Sequence, residues 1–454
     1  MLTTINPATE KTIQEYKPFT DRETEQIIEN NAAQQKEWKF KTFEERAEVV
    51  HKISEELKNR KEEFAELMAN EMGKPLDQGI GEIEKCAWVC EFYADHAAQF
   101  LADEVVETDA RTSYINYNPL GVVLAVMPWN YPFWQVFRFI APALMAGNTG
   151  LLKHAPNVTG CALAIEDVIK EAAGHGNLLD TLLIEVEQVE DVIKNDHVRA
   201  VTLTGSTGAG SAVASQAGSE IKKTVLELGG SDPYLILEDA DLEKAAGICA
   251  ATRYKNAGQS CVAAKRFVVT EPVYDEFVER FVALSKEQRM GDPKDEKTDI
   301  GPQARLDLRD DLHKQVQESI EQGAECLLGG EIPDQTGYYY PATVLTNLKP
   351  GMPAYDEELF GPVASIIKVK NADEAITVAN DSPYGLGAAV FTEDLEKGEL
   401  IAAEQLEAGC CFVNEGVKSD PRLPFGGVKK SGYGRELSEH GIREFTNIKT
   451  VYVA

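Results

Sequence analysis

Cys261 lies in the stretch NAGQSCVAAKR, among small and polar residues and just before the apolar run RFVVT. Gly258 and Ser260 leave room for a second molecule to approach its sulfur. A thiol is already partly ionised near neutral pH, so modest stabilisation of the thiolate makes it a nucleophile. Cysteines more often simply pack, and the local text alone leaves both readings open. Glu227, in VLELGGSDPYLIL, ends an apolar strand beside two glycines. It is either a structural acceptor or a base whose pKa apolar surroundings raise. Asn130, in MPWNYPFWQVFRF, ends a strand inside an aromatic cluster. Its amide either closes an Asx turn or donates to a developing oxyanion.

A second group of residues has the chemistry of anion and sugar binding. AVTLTGSTGAG ends a strand and opens a helix, and Gly205, Gly208 and Gly210 let the backbone come close to a ligand while helix amides face an anion. The spacing is not GxGxxG, and a tight strand-to-helix connection has the same text. Lys153, in LLKHAPN, falls just past a strand end, where open α/β sheets bind ligands; a solvated loop lysine is the other reading. Pro156 leaves no carboxylate there to hold a ribose diol or repel a 2′-phosphate, which tilts a dinucleotide site toward NADP. In EELFGPV, Glu358 has the two oxygens that a ribose requires and Phe360 a flat ring to pack on one. An acidic loop followed by a core phenylalanine would look the same. The glycine-rich LPFGGVKKSGYGRE reads as a shaped loop without chemistry of its own.

These residues need elements to hold them. From Asp21 to about Ala102 apolar residues recur at helical spacing in Glu/Lys/Ala-rich text, and Gly73 ends one segment. VVETDARTSYINYNPLG alternates as a strand pair wet on both faces. From GVVLAVMPWN onward strands and helices alternate, which predicts a parallel sheet with helices on both faces. A second such block starts near PYLILEDADLEKA. The expected fold class is therefore α/β, with two doubly wound domains. The chain ends in an alternating strand, exposed unless paired, which suggests a homo-oligomer, either dimer or tetramer.

With 454 residues the chain exceeds what one hydrophobic core supports. Its 45 Lys and Arg against 75 Asp and Glu give a net charge of −30, which repels nucleic acid and anionic membranes. An anionic ligand must then be met by local cations. The eight cysteines form no CxxC framework, which suits reduced thiols, and Cys86 and Cys90 read as packing residues with no second ligand pair, so no metal site is expected. The N-terminal text carries no leader pattern and no stretch is apolar enough to span a bilayer, so a cytoplasmic protein is expected.

Taken together, PWN at 128–130, Lys153, GS at 205–206, ELGG from Glu227, GQSC ending at Cys261, EELFGP from Glu357 and PFGG from Pro424 resemble the aldehyde dehydrogenase superfamily over almost the whole chain. The ordered set is far more specific than any member. The resemblance implies a Rossmann-like cofactor-binding domain over 1–103 and 120–228, with 410–432 returning to it. It also implies a catalytic domain over 229–409 and a small β oligomerisation extension over 104–119 and 433–454. It implies that Cys261 attacks an aldehyde, that Asn130 and the Cys261 amide hold the oxyanion, and that Glu227 activates water to hydrolyse the thioester. Trp129, Lys153, Gly205, Ser206, Glu358 and Phe360 map to contacts with NADP or NAD.

Within the superfamily, WNYPFWQVFRF, LLKHAPN and the compact length are most similar to short bacterial succinate-semialdehyde dehydrogenases, which implies a small aldehyde carrying a carboxylate. Arg138, about two helical turns past Asn130, is placed to take that carboxylate in a charge-assisted fork; an internal salt bridge is the alternative use of such an arginine. Ser260 and Ser419 would add hydroxyl donors. Another small aliphatic or aromatic aldehyde is the alternative substrate. A cysteine hydrolase or acyl-transfer enzyme would use Cys261 and Glu227 without redox, but has no use for the dinucleotide-type turn or Lys153.

Overall fold

The computed structural model describes residues 1–174 and 176–454. The chain starts with an antiparallel hairpin, β1 (Leu2–Ile5) and β2 (Thr12–Tyr16). Four helices follow: α1 (Asp21–Trp38), α2 (Phe43–Asn59), α3 (Lys61–Met72) and α4 (Leu76–Phe100). Reciprocal capping by Thr20 with Glu23 and Thr42 with Glu45 starts the first two. Gly73, at φ +79°, ends α3 in the left-handed region, and α4 then packs across α2 and α3.

The first sheet has β5 (Val122–Met127), β6 (Thr149–His154), β7 (Leu179–Thr181), β8 (Val198–Thr204) and β9 (Lys223–Glu227), all parallel, joined by α5 (Trp134–Met145), α6 (Thr159–Ala173), α7 (Val189–Lys194) and α8 (Thr207–Ser219). Its order is β17-β9-β8-β5-β6-β7, where β17 (Gly432–Tyr433) returns antiparallel from the far end of the chain. The strands are buried on both faces because alternate residues join different cores. Val123, Ala125 and Leu152 pack with α2, α4 and α5, whereas Leu124, Leu151, Val201 and Leu203 pack with Ile28, Val189 and Val213 of α1, α7 and α8. The chain leaves β5 in one direction for β6 and β7, and resumes on the other side with β8 and β9. The carboxyl ends of β5 and β8 therefore flank a topological switch point, the usual ligand crevice of an open α/β sheet.

The second sheet comprises β10 (Asp232–Ile236), β11 (Ala264–Thr270), β12 (Glu325–Leu328), β13 (Thr343–Thr346), β14 (Val363–Val369), β15 (Gly387–Phe391) and β16 (Cys410–Val413), in the order β12-β13-β14-β11-β10-β15-β16. Only β12 is antiparallel. The same two-sided split recurs: Tyr234, Ile236, Phe267 and Val269 face α9 (Leu242–Tyr254) and α10 (Tyr274–Glu287), while Leu235, Leu237, Val268 and Val390 face α11 (Leu306–Glu321) and the helix over 372–380. The expected two doubly wound domains are present.

One boundary differs from expectation. Residues 410–413 were placed with the return to the first domain, but Cys410–Val413 pair in parallel with Gly387–Val390 and so belong to the second sheet. The return comes later. Phe425 bonds Glu436 through both backbone groups, and β17 then pairs with Leu226 and Glu227. The third sheet, β18 (Thr446–Val453), β4 (Thr112–Pro119) and β3 (Glu104–Val105), stands apart, with β18 paired along its length to β4 and Ile448, Tyr452 and Val453 exposed.

Candidate active site

The first sheet points its carboxyl ends at the amino ends of the second. Asn130 follows β5, Gly205 follows β8, Glu227 is the last residue of β9, and Cys261 precedes β11. The segment entering Cys261 is held in an unusual conformation: Asn256, Ala257 and Gly258 are consecutively left-handed, at φ +53°, +52° and +73°. Glycine tolerates this, whereas Ala257 does so at a cost of about 1 kcal/mol or more. The surroundings over-determine the loop. Arg253 Nη2 donates to the Gly258 carbonyl at 2.7 Å, Gln303 Nε2 to that of Ala257 at 3.2 Å, and Lys265 Nζ to those of Ser260 and Cys261 at 2.9 and 2.7 Å. Asn256 Nδ2 reaches the Asn130 carbonyl at 2.8 Å, and Asn130 Nδ2 donates to the Gln259 carbonyl at 3.1 Å. The structure thus ties Asn130 to the loop two residues before Cys261. The amide has a second N–H with which to meet an oxyanion.

Cys261 ends a cavity of about 360 Å³, at the small end of the range for ligand pockets. Arg138, Ser260 and Ser419 line it with Cys261, as do Lys85, Trp134 and Phe425. The sequence reading brought together the first four; the last three were not singled out as site residues. Asp77, Gly81, Lys255 and Lys418 are exposed and form its rim. Burial pushes the Cys261 thiol up to about 11, with Arg138 and Lys265 opposing the shift. The resting thiol is therefore neutral at pH 7. The modest stabilisation expected of the loop falls short of ionising it, and attack requires proton removal. Below the folded pKa the thiolate fraction grows about tenfold per pH unit, so alkylation of Cys261 in the free enzyme by iodoacetamide should keep accelerating from pH 7 to pH 10. A plateau below pH 8 would contradict this environment.

Glu227 is 2 % exposed, and neither carboxyl oxygen accepts a hydrogen bond among the described residues. Burial, and then the neighbouring Glu436 carboxylate, raise its pKa well above the usual value, against the pull of Arg138 and Arg435. A Cβ on Gly426 would fall 2.6 Å from Glu227 Oε1, so a glycine is required where the returning loop crosses the carboxyl group. Arg138 sits on α5, 2 % exposed. It is ion-paired through Nε with Glu436, donates from Nη2 to Thr204 Oγ1 at 3.3 Å and lies 4.8 Å from the Phe425 ring centroid. The internal salt bridge, the alternative use of this arginine, is therefore formed in the resting structure, although Arg138 still reaches the chamber wall. Glu436 escaped the sequence reading because GYGRE looks like a loop; only the return of that loop to the first sheet buries it.

The crevice between β5 and β8 fits a dinucleotide. Ser206 caps α8, its Oγ accepting from Ala209 N at 3.3 Å, and open space surrounds Gly208 in the first turn, so the helix N-terminus is free to meet an anion. Lys153 lies within β6, one residue before its end and not past it as expected, with 6 % exposure and its Nζ on the His154 carbonyl at 3.1 Å; burial lowers its pKa. On the opposite wall Glu358 accepts from Gly230 N and pairs with Lys265, each at 3.0 Å, and a Cβ at Gly229 would collide with it. Phe360 meets Trp129 edge to face at 5.8 Å. The Trp129–Phe360 contact joins the two sides, and a Cβ on Gly230 would lie 3.1 Å from the Cys261 carbonyl, so this region borders the Cys261 loop.

The whole arrangement has relatives. The chain matches the aldehyde dehydrogenase family profile over residues 1–451. The protein belongs to the aldehyde dehydrogenase family. As a member it is an NAD(P)-dependent aldehyde dehydrogenase, which accounts for a dinucleotide crevice and a cysteine chamber meeting at one loop. Similar curated proteins include a probable succinate-semialdehyde dehydrogenase (NADP(+)) of Synechocystis sp., 49% identical over 453 residues, with 100% of both chains covered. Another is a succinate semialdehyde dehydrogenase (NAD(P)+) of Escherichia coli, 47% identical over 448 residues, covering 99% of this chain and 97% of that one. Among solved structures, the succinic semialdehyde dehydrogenase of Streptococcus pyogenes in complex with NADP+ superposes with a TM-score of 0.97 at 38% identity, covering 100% of both chains.

Proposed function

We propose that this aldehyde dehydrogenase oxidises succinate semialdehyde to succinate, with NADP favoured over NAD, and that Cys261, Asn130 and Glu227 carry the chemistry. The observation that supports this best is the small chamber that ends on Cys261 and is lined by Ser260, Ser419 and cationic side chains, in a protein whose net charge of −30 otherwise repels a carboxylate. The relatives named for this substrate cover 99–100% of the chain at 45–49% identity. Pro156, at the start of a short 3-10 turn after β6, offers no carboxylate against a 2′-phosphate.

In this reading the Cys261 thiol passes its proton to solvent water and Sγ bonds the aldehyde carbon, giving a thiohemiacetal whose oxyanion is met by Asn130 Nδ2 and the Cys261 amide. When bound, the nicotinamide cofactor accepts the hydride. Glu227 takes a proton from the water that attacks the thioester, and cleavage of the C–S bond returns Cys261 and releases the acid. Lys153, Gly205, Ser206 and Glu358 would hold the cofactor, with Trp129 and Phe360 walling the crevice.

The division into a cofactor-binding and a catalytic domain follows the two sheets, and a second copy of the chain adding to β18 would cover its exposed apolar residues. All eight cysteines are free, which fits a reducing cytoplasm, and no helix among the described residues is long and apolar enough to cross a membrane. The test is a matrix of kcat/KM for succinate semialdehyde, butanal and benzaldehyde with each cofactor. Succinate semialdehyde should lead by at least tenfold, with NADP ahead of NAD; a lead for either neutral aldehyde overturns the substrate.

A further inference from the structure

Four cations line the aldehyde chamber, and their environments differ. Arg138 is ion-paired with Glu436. Lys418 is exposed at the rim and paired with Glu415 at 3.2 Å, and Lys255 is also exposed at the rim. Lys85 alone projects from α4 into the partly enclosed interior. Its ammonium donates to Ser419 Oγ at 2.7 Å and lies 4.2 Å from the centroid of the buried Trp134 ring. Among the described residues, no carboxylate lies within ion-pair distance of it. Glu82, one turn earlier on α4, is engaged by Lys74 and by the Phe133 and Trp134 amides, and Asp420 is held by Arg422. Removing an ammonium from water without a counter-ion costs energy that a ligand carboxylate returns.

We propose that Lys85, with Ser419 beside it, is the residue that selects an aldehyde bearing a distal carboxylate, and that Arg138 is a positioning residue for Glu436 and Glu227. The inference rests on the substrate class proposed above and names the group that recognises it. Lys85 holds the tail through two charge-assisted contacts, its own N–H and the Ser419 hydroxyl, whose oxygen it orients, while Trp134 supplies the apolar wall along the carbon chain. The aldehyde end is then left to reach Cys261, which lines the same chamber.

A pH dependence follows. Burial, and then Arg138 and Lys255, lower the Lys85 pKa to about 8 against the opposing pull of Cys86 and Glu82; Asp420 faces it from the loop. A lowered lysine pKa means the cation is fully present below about pH 7 and lost above 8. Carboxylate recognition should therefore fail on the alkaline side, visible in kcat/KM because that parameter reports the free enzyme.

The experiment compares Lys85→Met, Lys85→Arg and Arg138→Lys with wild type in two assays. The first is kcat/KM for succinate semialdehyde relative to butanal, from pH 6.5 to 9.5. The expected result for Lys85→Met is a fall in this ratio of about 10–100-fold, carried by KM, with Lys85→Arg restoring most of it. The wild-type ratio should decline above pH 8, and that of Lys85→Met should be flat. A ratio unchanged in Lys85→Met, or one that falls only in Arg138→Lys, overturns the assignment. The second assay is calorimetric binding of succinate and of butyrate, which needs no turnover. Should wild type oxidise succinate semialdehyde poorly but still bind succinate in a Lys85-dependent way, the substrate is wrong and the anion site stands. Binding of succinate no tighter than butyrate overturns the site itself.

Discussion

Cys261→Ala should reduce aldehyde-dependent formation of reduced nicotinamide by a factor on the order of 10⁴ or more, to the level of the reagents alone. The size of the effect follows from what the thiol does. Hydride cannot leave an aldehyde carbon until a nucleophile has made that carbon tetrahedral, and the chamber offers no second thiol: Cys410 and Cys411 are on β16 and outside its lining. Ser260 is adjacent, but a hydroxyl is a far poorer nucleophile at neutral pH. The fold should survive the change, because the loop is held through the carbonyls of Ala257, Gly258, Gln259, Ser260 and Cys261 and not through the sulfur. Circular dichroism and NADP binding should match wild type; loss of either would assign the effect to unfolding.

Glu227→Gln should separate the two halves of the reaction. The first turnover should survive as a burst of reduced cofactor close to one per active site, whereas the steady-state rate should fall by about 10²–10⁴-fold, the usual contribution of a positioned base. Attack by water on a thioester requires a proton acceptor, and the amide is not one. The pH dependence has a definite sign. Burial and Glu436 raise the Glu227 pKa, so the carboxyl group is protonated and idle at low pH, and kcat should rise with pH as it ionises. In Glu227→Gln that rise should vanish. An unchanged steady-state rate in the variant would remove Glu227 from the mechanism.

The parts of this protein legible in the sequence were those fixed by local pattern. Strand–helix alternation gave both parallel sheets, whereas the roles proposed for Cys261, Glu227 and Asn130 came from the resemblance of the ordered motifs, since the text around each left its ordinary reading open. What escaped depended on burial at long sequence separation. Lys85 lies in EIEKCAWVC, within the Glu/Lys/Ala-rich helical run, where no charged residue was singled out; only the packing of α4 against α5 and the 417–425 loop encloses it. Glu436 became a buried partner of Arg138 through a loop that returns over the first sheet. Cys410–Val413 looked like part of that return, yet backbone pairing with Gly387–Val390 decides otherwise. Arg138 was read as an arginine facing the aldehyde chamber to take a carboxylate, with an internal salt bridge as the alternative, and its partner Glu436 was not foreseen.

The most direct test of the chemistry assigned to Cys261 is the mass of Glu227→Gln after rapid mixing with succinate semialdehyde and NADP, followed by peptide mapping. The expected result is one succinyl group per chain, located on the peptide that contains Cys261 and formed at the rate of the burst. A stoichiometric burst with Cys261 unmodified, or with the acyl group on another cysteine, would contradict it.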